Sequence, residues 1–215
     1  MSVKQLISPL AYNIGEIVDS HLNNVRKNSI VYLDEFVKLK CAPDLLAWKV
    51  FPNAKEITES MAAYGAVRKH FHRLLSSEET LGVFVGDGQT PRTGALFAYR
   101  TPWTCHSVDP DLEKKKDKFN HIERLTIFPI KFDKYLEQME FSIYKHIIFI
   151  CVHSHAKLDN LLNILDSKCS PSVYKNIIAI PCCVEQSLGK ENPPNITYSD
   201  SKICSPCRTV YIWNK

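Results

Sequence analysis

The sequence predicts an α/β fold, a three-layer sandwich built on a mainly parallel sheet and preceded by an α-helical N-terminal region. Three observations carry that prediction. From Leu81 onward, short apolar runs alternate with segments of helical periodicity, joined by short connections. Two of the runs, His146–Val152 (HIIFICV) and Asn176–Ile180 (NIIAI), are almost unbroken and rich in β-branched residues, as strands buried on both faces are. Three of the seven glycines fall between Gly86 and Gly94, directly behind the first strand run Val83-Phe84-Val85.

Residues 1–78 form the helical region. Leu6–Leu22, Ser29–Lys40 and Lys55–Leu75 carry apolar residues at three- and four-residue spacing without interrupting glycine repeats. The third segment is the clearest, with Ile57, Met61, Tyr64, Val67, Phe71 and Leu74 on one side. Its basic end (Arg68, Lys69, His70, His72, Arg73) suits the negative end of a helix dipole and reads as a solvated face, with a nucleic-acid patch as the alternative.

Residues 79–215 form the α/β domain. After the first strand comes a helix, Thr93–Tyr99, then a second strand, Cys105–Val108, closed by Asp109. Asp111–Lys118 is a charged loop or short helix. Arg124–Ile130 is the third strand, closed by Pro129, and Phe132–Phe141 a helix. The fourth and fifth strands are the two apolar runs above, separated by an amphipathic helix, Leu158–Leu165. Val184–Ser201, with Pro193-Pro194, reads as an irregular crossing, and Arg208–Trp213 as the last strand.

Composition narrows the function classes. With 45% hydrophobic and 23% charged residues the chain is an ordinary globular protein, not a disordered one. A net charge of +4 permits an anionic partner without demanding one. No apolar run reaches membrane-spanning length, and the opening MSVKQLISPLAYNIGEIVDS lacks the apolar core of a secretory leader. The expectation is a cytoplasmic or nuclear protein that needs no membrane. Eight cysteines in such a chain then mean reduced thiols or a metal site rather than disulfides. Cys182, Cys183, Cys204 and Cys207 are the four that could share a structural zinc ion. Adjacent cysteines chelate one ion awkwardly, so the expectation is thiols and no metal.

The functional signal lies in the first half of the α/β domain. Strand, glycine turn, helix, strand and terminal acid form half of a Rossmann-like nucleotide-binding unit. Gly86 and Gly88 let backbone approach a ligand closely, and Asp87 lies between them. Asp109 is placed to accept hydrogen bonds from ribose hydroxyls. Gly94 comes too late for a dinucleotide fingerprint, which disfavours a nicotinamide-dependent oxidoreductase. S-adenosylmethionine has no phosphate and tolerates the looser turn. In parallel sheets, ligands bind beyond the carboxyl ends of the strands. That places Phe128-Pro129, His153-Ser154-His155 and Pro181-Cys182-Cys183 beside the same site.

These residues resemble class I S-adenosylmethionine-dependent methyltransferases. Within them the chain is most similar to the branch whose fourth strand ends in a His-x-Cys-Gly-like turn and whose fifth ends in Pro-Cys-Cys. Here the turns are CVHSHA, with His153 at the histidine, and AIPCC, with Pro181, Cys182 and Cys183 matching. The lead-in helix opening at NAKEI is also similar, and the resemblance spans residues 53–185. It implies S-adenosylmethionine as cofactor, held by Gly86, Asp87, Gly88, Asp109 and Phe128. His153 is then the catalytic residue that positions or deprotonates a methyl acceptor. The mildly basic helical N-terminal region makes RNA one acceptor to consider, beside a protein or a small molecule. The chain departs from the family at Phe84, where class I enzymes usually carry an acid. That departure points to the alternative, a catalytically silent methyltransferase-like binding or scaffold subunit.

Overall fold

The computed structural model describes residues 21–182 and 188–215. Three helices come first: α1 (His21–Val37), α2 (Ala42–Ala47) and α3 (Ala54–His70). Most of the expected helix Leu6–Leu22 lies outside the described residues. Asn53 fixes the start of α3: its backbone is extended, and its side chain accepts a hydrogen bond from the Glu56 amide at 3.1 Å. Ile57, Met61, Tyr64 and Val67 of α3 are buried, as the spacing predicted. The helix ends at His70 rather than Leu75, and a 3-10 turn over His72–Ser76 continues the chain.

The sheet has seven strands: β1 (Thr80–Val85), β2 (Thr104–Val108), β3 (Leu125–Phe128), β4 (His146–Val152), β5 (Tyr174–Ile180), β6 (Ile196–Ser199) and β7 (Thr209–Asn214). Their order is β3-β2-β1-β4-β5-β7-β6. The first five strands run parallel, β7 returns antiparallel to β5, and β6 pairs antiparallel with β7. The crossover helices are α4 (Arg92–Arg100), α5 (Phe132–Gln138) and α6 (Leu161–Lys168), with a 3-10 segment over Pro110–Phe119 after β2.

Alternation along the central strands divides the core in two. Phe84, Ile148, Ile150, Ile178 and Ile180 face one layer, shared with α1 to α4. Val83, Val85, Ile147, Phe149 and Ile177 face the other, shared with α5 and α6. All six residues of β1 are buried. The helical segment before β1 therefore packs into the same apolar core as one face of the sheet. Trp103 locks this layer, donating its indole N–H to the Leu74 carbonyl at 2.6 Å. Its ring is why β1 carries a glycine at 82, where a Cβ would lie 2.9 Å from the indole.

Two expectations change. Residues Ile196–Ser199, expected within an irregular crossing, form the edge strand β6. It is short, mostly exposed and paired only with β7, so its own sequence carries little signal. The helix after β3 stops at Gln138, three residues before the expected Phe141, and Lys168 covers its end. The Lys168 ammonium donates to the carbonyls of Leu136, Glu137 and Met139 at 2.6, 2.8 and 3.2 Å.

Candidate functional site

The carboxyl ends of β1, β2 and β4 open into a cleft of about 1200 Å³. Gly86, Gly88, Asp109, Phe132, Leu136 and Leu161 are among the residues that line it. Such a volume admits an adenosine-type ligand with room for a second molecule.

The glycine turn forms the near wall. Gly86 has φ +73°, and Gly88 has φ +79°, both in the left-handed region that favours glycine. At Gly86 a Cβ would sit 2.7 Å from Ser154 Oγ, so the turns after β1 and β4 touch there. At Gly88 a Cβ would sit 2.9 Å from Arg92 Nη2. Positive φ at both positions, and packing against Ser154 at Gly86, thus favour glycine before any ligand is considered.

Asp87 turns away from the cleft into the fold, only 4% exposed. Its Oδ1 accepts from the Thr93 amide at 2.8 Å. Its Oδ2 accepts from the Gly94 amide at 2.9 Å and from Ser107 Oγ at 2.8 Å. It therefore satisfies the free N–H groups at the start of α4 and ties them to β2. Burial pushes its carboxyl pKa up, while Arg92 and these donors pull it down. Gly94 belongs to the same arrangement: a Cβ there would meet Asp87 Oδ2 and Ser107 Cβ at 3.2 Å each.

Asp109 stands on the cleft wall, half-buried at the end of β2. Its Oδ2 accepts from the Gly88 amide at 2.9 Å and its Oδ1 from the Asp111 amide at 2.8 Å. A carboxylate oxygen accepts two hydrogen bonds, so each retains capacity for a ligand hydroxyl. Phe128, at the end of β3, lies off the cleft lining. It packs against His106 (centroids 4.8 Å apart) and Tyr135 (5.0 Å).

His153 borders the cleft at the end of β4, with φ +53°, and its amide donates to the Ile180 carbonyl at 2.9 Å. Its ring faces α3. Nε2 is buried, has no hydrogen-bond partner among the described residues and lies 3.4 Å from Glu59 Oε1. Burial lowers its pKa, opposed by the Glu59 carboxylate, which is itself 2% exposed and held by Lys55 at 3.2 Å.

The next residue but one, His155, places Nε2 3.6 Å from Cys182 Sγ, and Cys207 Sγ points at the Cys182 carbonyl at 3.6 Å. No disulfide joins the described cysteines. Among the described residues no group of three or more His, Cys, Asp or Glu side chains is arranged to hold a metal, and Cys183 lies outside them.

Two charged residues carried no functional expectation from the sequence: Arg92 on the cleft lining, and its ion-pair partner Glu56, which stands behind it off the lining. Arg92 lines the cleft at the first position of α4, donates Nε to the Asp87 carbonyl at 2.9 Å and pairs Nη1 with Glu56 Oε1 at 2.6 Å. A cation at a helix start opposes the dipole, and that mismatch was the available signal.

No family model matches the chain, and no curated protein matches it. The fold does match solved structures. A point variant of MtNAS in complex with S-adenosylmethionine superposes with TM-score 0.53 at 11% identity, covering 99% of this chain and 82% of that one. MtNAS in complex with MTA and tNA gives TM-score 0.54 at 10% identity, covering 99% and 80%. The architecture is the Rossmann-like, methyltransferase-type sheet. Among the described residues no helix is long and apolar enough to cross a membrane.

Proposed function

We propose that this protein is a class I-type methyltransferase that uses S-adenosylmethionine. The observation that carries the reading is the Gly86–Gly88 turn hydrogen-bonded to Asp109 at the mouth of a 1200 Å³ cleft, beyond the carboxyl ends of parallel strands. The similarity of fold to MtNAS, whose variant was crystallised with S-adenosylmethionine, supports the same ligand class. The CVHSHA and AIPCC turns support the branch assignment.

When bound, S-adenosylmethionine supplies an electrophilic methyl group for in-line displacement. The chain's part is to hold the cofactor, align the acceptor and exclude water. In this reading Asp109 accepts from the ribose hydroxyls, and Gly86 and Gly88 give the ligand close access to backbone. Asp87 keeps the turn in shape rather than reaching the ligand, and Phe128 supports the β3 end through His106 and Tyr135. His153 serves as acceptor-side residue at the cleft border. To act as a base it must release Nε2 from Glu59.

A second reading, a catalytically silent binding or scaffold subunit, has its own support. Phe84 is 1% exposed in the core where the family's acid would stand, and His153 Nε2 is buried 3.4 Å from Glu59. RNA is the acceptor to try first, because Arg68, Lys69 and Arg73 are exposed. Arg68 and Lys69 close α3 and Arg73 lies in the 3-10 turn after it, beyond the helix end remote from Glu56 and Glu59, so they favour an acceptor that also spans the helical layer.

Tritium-methyl transfer to total RNA and to protein extract separates the readings. Label incorporated by wild type, and reduced roughly 10²–10⁴-fold in His153→Ala, is the expected result for a general base. Folded wild type that binds the cofactor yet labels neither pool favours the silent subunit.

A further inference from the structure

We infer that Arg92 and Glu56 form the subsite for the amino-acid end of the cofactor, with Glu56 taking the ammonium and Arg92 the carboxylate. The inference rests on reading the cleft as an S-adenosylmethionine site and assigns residues to its zwitterionic end.

A methionine moiety brings one positive and one negative charge, and each needs a counter-charge where water is excluded. β1 offers no acid: Phe84 is in the core, packed on Phe97 at 5.1 Å between centroids. Asp87 is buried and spends both oxygens on Thr93, Gly94 and Ser107. Asp111, Asp133, Glu137 and Asp159 line the cleft but are exposed, where a charge pair is worth little.

The Arg92–Glu56 pair differs from all of these. Its side chains are 16% and 15% exposed, and the ion pair at 2.6 Å uses only Oε1 of Glu56. Oε2 is buried with no hydrogen-bond partner among the described residues. An unpaired buried carboxylate oxygen costs free energy, and an ammonium donor would remove that cost. The terminal torsion of a glutamate is soft, so Oε2 turns toward such a donor without a rotamer change along the stem.

Position agrees with chemistry. Gly88 links the two ends of the site: its amide donates to Asp109, and Arg92 Nη2 lies 2.9 Å from where a Cβ at Gly88 would stand. A ligand whose ribose is held by Asp109 therefore passes Gly88 to reach Arg92. The guanidinium keeps a planar fork suited to a carboxylate, and the Asp87 carbonyl fixes its orientation through Nε.

Two nucleosides that differ in this end alone test the assignment by calorimetry: S-adenosylhomocysteine, which carries the amino-acid group, and 5′-methylthioadenosine, which does not. Wild type is expected to bind the first about tenfold or more tightly than the second. Glu56→Gln, checked for folding by circular dichroism, is expected to weaken S-adenosylhomocysteine about tenfold or more and leave 5′-methylthioadenosine within about twofold. Equal affinities in wild type overturn the subsite even if the variant fails to fold, and so does an equal loss for both ligands in Glu56→Gln. Binding of neither nucleoside by folded wild type overturns the cofactor reading and the subsite with it.

Discussion

Asp87 shows how little position alone specifies for a single residue at a glycine turn. Between two glycines on a ligand-binding loop it reads as a ligand contact, yet each of its oxygens is committed to the start of α4 and to Ser107. Its removal should therefore appear as lost stability before it appears as lost binding. Asp87→Ala leaves two helix-start amides and a buried hydroxyl without their acceptor, so a loss of about 2–4 kcal/mol is expected. Thermal and urea unfolding measure it directly. Unfolding unchanged within 0.5 kcal/mol, an ordinary surface-substitution effect, would show that the cap contributes nothing.

At the scale of elements, β2 and α5 are joined by a buried polar contact, His106 Nδ1 to Tyr135 Oη at 2.8 Å. His106 is 6% exposed, and burial lowers its pKa from the usual 6.5 to about 4. Between those values the unfolded chain binds more protons than the folded one, so stability rises with pH across that interval. The contribution is fully present above pH 6.5 and is lost as pH falls through 4. About 3 kcal/mol is the largest effect such a shift allows. His70, His146 and His153 are shifted in the same direction and add to the slope. Urea midpoints at pH 4.5, 5.5 and 6.5 should climb steeply in wild type and less steeply in His106→Phe. Parallel curves would remove His106 as a source of the acid lability.

At the scale of the whole molecule, the sequence was legible wherever burial imposes a repeating pattern. The strands β4 and β5 are apolar on both faces because helices cover both, and the α3 spacing reports its buried side. Gly86 and Gly88 were legible because positive φ leaves few alternatives to glycine. β6 escaped because an exposed edge strand of four residues needs its partner β7 more than its own composition. The Arg92–Glu56 and His153–Glu59 contacts escaped for a related reason: they join residues far apart in the chain, and only the packing of α3 over the strand ends brings them together. The place of Asp109 after β2 was legible in the sequence, but its hydrogen bond to the Gly88 amide was not, since that depends on the shape of the turn.

The central claim is that the cleft binds S-adenosylmethionine through Asp109, and calorimetric titration of wild type and Asp109→Ala with S-adenosylmethionine and with NAD tests it most directly. The account predicts saturable heat with S-adenosylmethionine and none with NAD. It also predicts an affinity in folded Asp109→Ala weaker by about 1.5–3 kcal/mol, the scale of hydrogen bonds to a charged group. Saturable binding of NAD, no binding of S-adenosylmethionine by folded wild type, or equal affinity for wild type and Asp109→Ala would contradict it.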